Sequence, residues 1–339
     1  MGDKKKIMNE YIIDNIVKNI GIRKNEIVLL HFWGENKYIH ILNLFGKSVV
    51  KQGGIPCEYL NILYAYNDIF EDDNTNIPEK YYKCFEPIDI VIDIFCQPLS
   101  TVQGVNKDHL ELKKDYLAKM FLVLKEKRKV VQIRMATVEN AGEVNIDSEV
   151  YINNMNAAFD VDCNSLKKAC EEYIANHLRE DHIVLKTYDL NGKMYKIFFS
   201  TEGRKWHIDA GDGDWPCGEI YIAPNEKKTN GKIYFPTIYM ENGTEYKNVI
   251  IEIRDGEFIH SNNNDFEHEI HVITKEKAFL CELGIGMNPN ITKIMKYAVL
   301  DEKAKGTFHI GFGDNTMFGG KSSAKFHFDL VNEGRWIIE

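Results

Sequence analysis

No stretch of the 339-residue sequence reaches the roughly 20 consecutive apolar residues of a membrane-spanning helix. The two short apolar runs, Ile27 to Phe32 and Ile88 to Cys96, have strand length, so no membrane partner is expected. Basic residues are also in deficit, 42 against 51 acidic ones, for a formal charge of −9. A broad nucleic-acid surface needs clustered Lys and Arg to replace condensed counterions, so DNA and RNA are not expected partners. No CxxC pair occurs among the seven cysteines at 57, 84, 96, 163, 170, 217 and 281. An odd, scattered set suits reduced, buried, inert thiols in a cytoplasm better than a disulfide framework. The basic start, Met1-Gly2-Asp3-Lys4-Lys5-Lys6, leads into the mixed stretch Ile7 to Ile20, without the apolar core and small-residue cleavage site of a secretion signal. A soluble cytoplasmic protein is the expectation.

What is present is ordinary globular composition, 44% hydrophobic and 27% charged, over a length that exceeds one hydrophobic core. Two domains are expected, at 1–180 and 181–339. The first alternates strand-like and helix-like stretches. Strands are expected at Ile27 to Phe32, Cys57 to Leu63, Asp89 to Phe95 and Val130 to Arg134, and helices at Asn9 to Ile20, Tyr38 to Gln52, Lys107 to Lys125 and Val150 to Leu178. Near-continuous apolar strands predict an α/β domain with a mainly parallel sheet covered on both faces. From about Asp181 the texture becomes β-branched and aromatic, with turn signals at Asn191-Gly192, Asn230-Gly231, Asn242-Gly243 and Asp255-Gly256. This half is expected to be a β-rich α+β domain, and glycines inside its strand-like runs mark close approaches of backbone.

The chemistry is written in the second half. In Phe326-His327-Phe328-Asp329-Leu330, strand alternation puts His327 and Asp329 on one face and the apolar residues on the other. Imidazole and carboxylate together suit zinc, manganese, cobalt or ferrous iron, although a lone H-x-D more often marks a polar strand face. His309 lies in Gly306-Thr307-Phe308-His309-Ile310-Gly311-Phe312-Gly313, framed by glycines that admit an ion or substrate, or equally a core histidine satisfied by one hydrogen bond. Glu219 in Cys217-Gly218-Glu219-Ile220 and Glu282 in Cys281-Glu282-Leu283-Gly284-Ile285-Gly286 sit in apolar or glycine-rich frames. An ionised carboxylate there is costly unless paired, metal-bound or at an exposed strand end. Glu302, beside Lys303, reads more readily as solvated surface.

Two patterns mislead. His268-Glu269-Ile270-His271 is one residue short of the i, i+4 spacing of a zinc-protease helix. Asp209 to Asp214, with Gly211 and Gly213, lacks the full ligand pattern of a calcium loop and reads as a tight turn near the pocket, with Trp206, His207 or Trp215 touching substrate.

Taken in order, Gly218-Glu219-Ile220, Glu282-Leu283-Gly284-Ile285-Gly286-Met287-Asn288-Pro289, Leu300-Asp301-Glu302-Lys303-Ala304 with Gly306-Thr307-Phe308-His309-Ile310, and His327-Phe328-Asp329 resemble the thermophilic aminopeptidase family typified by aminopeptidases T and S. The likeness is specific over roughly residues 200 to 335 and general over the first half. It implies an N-terminal α/β domain, a C-terminal metal-bearing domain, homodimers, and two divalent ions such as zinc or cobalt. Glu219, Glu282, His309, His327 and Asp329 match family ligand positions, and Glu302 matches a functional glutamate only with a two-residue shift before His309. In one respect the chain departs: family peptidases place a tyrosine seven residues after the third-motif histidine, where this sequence has Thr316, flanked by Phe312 and Phe318.

Two activities follow from this pattern. In the first, the enzyme hydrolyses an N-terminal peptide bond or small amide, its two zinc, cobalt or manganese ions activating a water whose proton Glu219 or Glu302 accepts. In the second, His309, His327 and Asp329 hold one ferrous ion in a ring-cleaving dioxygenase of the dihydroxypyridine type, which resembles the same fold.

Overall fold

Alternating apolar strands and one-sided helices build the first part of the chain. The computed structural model describes residues 10–61, 77–97, 107–240, 242–275 and 277–339. It divides into two units, Met1–Asp160 with Gly211–Pro216, and Val161–Ala210 with Cys217–Glu339.

In the first unit, β1 (Ile27–Trp33), β2 (Ile55–Asn61), β3 (Ile90–Phe95) and β4 (Lys129–Arg134) form a sheet of order β2-β1-β3-β4, parallel throughout. All six residues of β3 are buried, as expected of a strand covered on both faces. Helix α1 (Glu10–Ile20) buries Ile12, Ile13, Ile16, Val17 and Ile20, a single apolar stripe, and α2 (Ile39–Lys51) packs against it. A short α3 (Glu79–Tyr82) and the long α4 (Lys107–Leu124) follow. From α4, Tyr116, Met120 and Leu124 join Leu29, Val91 and Phe95 in one core cluster. The expected elements are present within a few residues; Met1 to Lys6, Asn9, Ile62 and Leu63 lie outside the described residues.

The helix expected from Val150 to Leu178 is two helices. After α5 (Val138–Glu143), α6 (Ser148–Phe159) ends at Asp160, and α7 (Cys163–His177) starts afresh with Asp162 accepting from the Ser165 amide at 2.6 Å. Two acidic residues around Val161 stop one helix and cap the next. The change of unit falls in this break, so α7, which packs on a strand of the second unit, precedes the expected boundary at 180/181. Residues 211–216 return to the first unit: the Trp215 amide donates to Gln132 O (2.8 Å) and Arg134 N to Trp215 O (2.9 Å).

The second unit holds two sheets. The six-stranded one has the order β11-β10-β9-β6-β5-β15, from β5 (His182–Tyr188), β6 (Met194–Ser200), β9 (Asn230–Tyr239), β10 (Glu245–Arg254), β11 (Glu257–Ser261) and β15 (Trp336–Ile338). The five-stranded one has the order β14-β13-β12-β8-β7, from β7 (His207–Asp209), β8 (Glu219–Ile222), β12 (Leu280–Gly286), β13 (Phe308–Gly313) and β14 (His327–Asn332), antiparallel throughout. Aromatic rings join them: Phe235 to Phe308 (6.1 Å), Phe258 to Phe312 (6.3 Å) and Trp336 to Phe308 (5.5 Å). Helix α8 (Asn264–Thr274) lies against β11, and a one-turn α9 (Ala298–Asp301) precedes β13.

Three of the four expected turns are turns. Asn230-Gly231 instead lies within β9, where a Cβ on Gly231 would stand 2.3 Å from Lys196 O: this glycine serves close strand approach. Thiol burial holds for five cysteines and fails at Cys57 and Cys84, which are exposed; none of the seven is in a disulfide. Among the described residues no helix is long and apolar enough to cross a membrane.

Candidate metal centre

The five-stranded sheet has two chemically opposite faces. Register pairs Leu283 with Ile222 and Ile310, Ile310 with Leu330, and Phe312 with Phe328, so these side chains share the face that meets the aromatic core. The other face carries Glu219, Tyr221, Glu282, His309, His327 and Asp329, interleaved with Gly284, Gly286, Gly311 and Gly313. A β-bulge between Leu280 and Glu282 makes this possible: Leu280 pairs with Phe312 on the apolar face, and the extra residue turns Glu282 to the other.

The glycines make room for the polar side chains. His309 lies over Gly284, where a Cβ would stand 2.1 Å from the imidazole. At Gly311 a Cβ would stand 2.8 Å from both Asp329 Oδ1 and the Cβ of Glu282. His309, His327 and Asp329 thus lean into the space that a glycine on a neighbouring strand vacates.

The distances are those of a converging donor set. His309 Nε2 is 3.5 Å from Glu219 Oε2 and 3.5 Å from Glu282 Oε1, and His327 Nε2 is 3.3 Å from Glu282 Oε2 and 3.4 Å from Asp329 Oδ2. Two triads, Glu282/His327/Asp329 and Glu302/His309/Asp329, have ligand atoms within 4.8 Å of one another, and Asp329 belongs to both. Nδ1–H of His327 donates to Asp314 O at 2.8 Å, which leaves the Nε2 lone pair facing two carboxylates. Glu219 Oε2, His309 Nδ1 and Asp329 Oδ1 are buried without a hydrogen-bond partner. Lone pairs converging on one space, with buried acceptors unsatisfied, suit a cation among them.

Charge points the same way. Buried Lys303 donates to Glu219 and, at 2.9 Å, to Glu302. Burial opposes the charge of Glu282, yet the imidazoles of His309 and His327 hold its carboxyl down to about 2. Burial also disfavours His309 as a cation, but Glu282 and the surrounding carboxylates lift it to about 9. Burial raises Glu302 to about 7, with Lys303 pulling it down and Glu219 and Asp329 pushing it up. The field that draws protons onto the imidazoles is the field that attracts a divalent ion.

All five residues expected as ligands, and Glu302, come together on this face. Glu302 corrects its sequence reading: it is half-buried on Lys303, not solvated, and completes the second triad. Glu219 stands beside that triad, paired with Lys303. Of the residues expected to touch substrate, His207 stacks on Tyr221 (5.2 Å) with Nε2 3.2 Å from Phe318 O, and Trp206 precedes it, half-buried. Trp215 departs from expectation: it is fully buried in the first unit, its indole against Phe159 and its Nε1 donating to Gly211 O, and offers no surface. The 209–214 segment is a turn, with Asp214 accepting from the Gln132 amide at 2.8 Å. His268 and His271 ride on α8 and join neither triad.

Lys303 and Tyr221 were not anticipated. Alternation in Glu219-Ile220-Tyr221 was signal enough for the tyrosine; nothing local separates Lys303 from a surface lysine. Thr316, at the family tyrosine position, turns its hydroxyl to Asp314 Oδ1 (2.7 Å), whereas the Tyr221 ring lies between His207 and the edge of Phe318. Burial and then Glu219, Glu282 and Asp209 raise the Tyr221 phenol far above its usual value, so it remains a donor.

The family model described as thermophilic metalloprotease (M29) matches residues 165–329. No curated protein matches the chain. Among solved structures, wild-type AmpT from Thermus thermophilus has a similar fold: TM-score 0.68 at 12% identity, over 97% of this chain and 94% of that one. The stretch that carries every candidate ligand, residues 165–329, is thus the part of the chain similar to thermophilic metalloproteases (M29).

Proposed function

We propose that the protein is a metal-dependent aminopeptidase that removes N-terminal residues from peptides or cleaves related small amides. The observation that carries this reading is the pair of triads sharing Asp329, built from Glu282, Glu302, His309 and His327. Glu282, His327 and Asp329, and Glu302, His309 and Asp329, would hold two ions of zinc, cobalt or manganese, which suit a carboxylate-rich donor set. Bound there, they would polarise the scissile carbonyl and acidify the attacking water.

The chain's own groups do the rest. Glu219 Oε2, without a hydrogen-bond partner and 3.5 Å from His309 Nε2, accepts the water's proton and passes it to the leaving amine, while Lys303 donates to the other oxygen of Glu219. The Tyr221 phenol supplies the neutral donor for the oxygen that gains charge, since the Thr316 hydroxyl is turned to Asp314. His207 and Phe318 flank Tyr221 and fix its ring. No observation favours the ferrous dioxygenase, because the His309/His327/Asp329 face it needs is divided between the two triads. A homodimer working in the cytoplasm completes the proposal, and light scattering should give twice the 39.2 kDa chain mass.

Metal analysis and a panel of aminoacyl amides test the activity. Two equivalents of metal per chain and hydrolysis of unblocked substrates are expected, with Glu282→Ala losing both. A fully metallated protein that cleaves none of them, or one iron with oxygen-dependent turnover, overturns the reading.

A further inference from the structure

β14 is the edge strand of its sheet, and beside it lies a cavity of about 340 Å³ whose lining includes His327 and Asp329 of the proposed centre and otherwise residues to which the proposed chemistry gives no role. Its strand wall runs from Phe326 to Asp329, so it opens immediately beside His327 and Asp329. Opposite, α8 contributes Glu269 and Ile273, one helical turn apart, and Met240 follows the end of β9. The volume falls within the roughly 300–1,000 Å³ of small-ligand sites.

The walls are chemically one-sided. Phe326, Phe328, Met240 and Ile273 make an apolar sleeve, and among the described residues no lysine or arginine lines it. Glu269 takes hydrogen bonds from Asn242 Nδ2 (2.6 Å) and the Tyr246 hydroxyl, both neutral donors. A carboxylate at an apolar sleeve is complemented by a cation on a long aliphatic stem.

We propose that this cavity receives the N-terminal side chain of the substrate and selects arginine or lysine, with Glu269 meeting the cation. The proposal rests on the aminopeptidase reading above. It places the α-amino group and scissile carbonyl at the His327/Asp329 end while the stem lies along Phe326, Phe328 and Met240.

The test uses the metal-loaded full chain and amides of arginine, lysine, leucine, methionine and glutamate. Arginine and lysine are expected to exceed leucine in kcat/KM by about tenfold or more, the order of one charge-assisted hydrogen bond. Glu269→Gln should remove that advantage, chiefly through KM, and leave leucine within about twofold. Ile273→Lys, at a partly exposed position, sets an internal cation four residues from Glu269 and should discriminate in the same sense, which guards against misfolding of the first variant. Leucine or methionine equal to arginine in the wild type, or an equal fall for all substrates in both variants, overturns the proposal. If no amide is hydrolysed, the aminopeptidase reading fails by itself, and calorimetry with argininamide and leucinamide decides the pocket. Tighter argininamide binding supports it, and equal or absent binding sinks it.

Discussion

A glycine whose only task is to be small fixes the position of His309. Because a Cβ on Gly284 would stand 2.1 Å from the ring, Gly284→Ala must swing His309 out of its triad or push β12 from β13. Metal affinity is expected to fall about 10- to 100-fold, as when a ligand loses its orientation. Overpacking should cost about 1–3 kcal/mol of stability. Calorimetric metal titration alongside a denaturant curve checks both, and unchanged affinity would mean that His309 holds no ion. Parts of this residue scale are legible in sequence: Glu282-Leu283-Gly284 and His309-Ile310-Gly311 already display the alternation of ligand and space. Lys303 is not legible. Only the fold carries that ammonium from the turn after α9 to Glu219 on β8, 84 residues away in sequence.

Among elements, the segment from Asp314 to Ser322 depends on one carboxylate. Glu226 accepts from the Lys321 amide (2.5 Å), Asn315 Nδ2 (3.2 Å) and Arg204 (2.6 Å), while Asn315 Oδ1 accepts from the Ser322 amide (2.8 Å). The brace matters to the site because Asp314 O orients His327 and Phe318 flanks Tyr221. Burial would raise the Glu226 pKa, but the Lys321 amide, Arg204 and Asn315 together hold it below the ordinary 4.5. Its folded-state value is depressed, so its contribution is complete above 4.5 and is lost as pH falls through the folded value. Amide exchange at Lys321 and Ser322 should therefore accelerate below about pH 4.5, relative to the intrinsic rate, in the wild type. In Glu226→Gln it should be fast already at neutral pH, with a cost of roughly 1–3 kcal/mol. Protection that is independent of both pH and mutation would remove Glu226 from this role.

For the molecule as a whole, the candidate ligands all belong to the unit of residues 161–210 and 217–339, so ion binding should stabilise that unit. Each site filled at a hundredfold excess over its Kd contributes about 2.7 kcal/mol. Chelation should lower the melting temperature of this unit, and zinc, cobalt or manganese should restore it. A melting curve indifferent to chelator would contradict a centre built from these carboxylates.

By itself the sequence determined the class of each half, because strand and helix periods are local, and alternation put His327 and Asp329 on one face; the rest of the candidate ligand set came from the family resemblance. It could not determine that α6 and α7 are separate helices packed in different units, that Asn230-Gly231 is strand, or that Trp215 is buried beside Phe159. Tertiary structure alone decided how the ligands are shared, with Asp329 common to both triads and Lys303 between two glutamates. The reason is physical. A face is set by neighbours two residues away, whereas a site is set by cross-strand register and a bulge, which depend on the packing of strands distant in the chain.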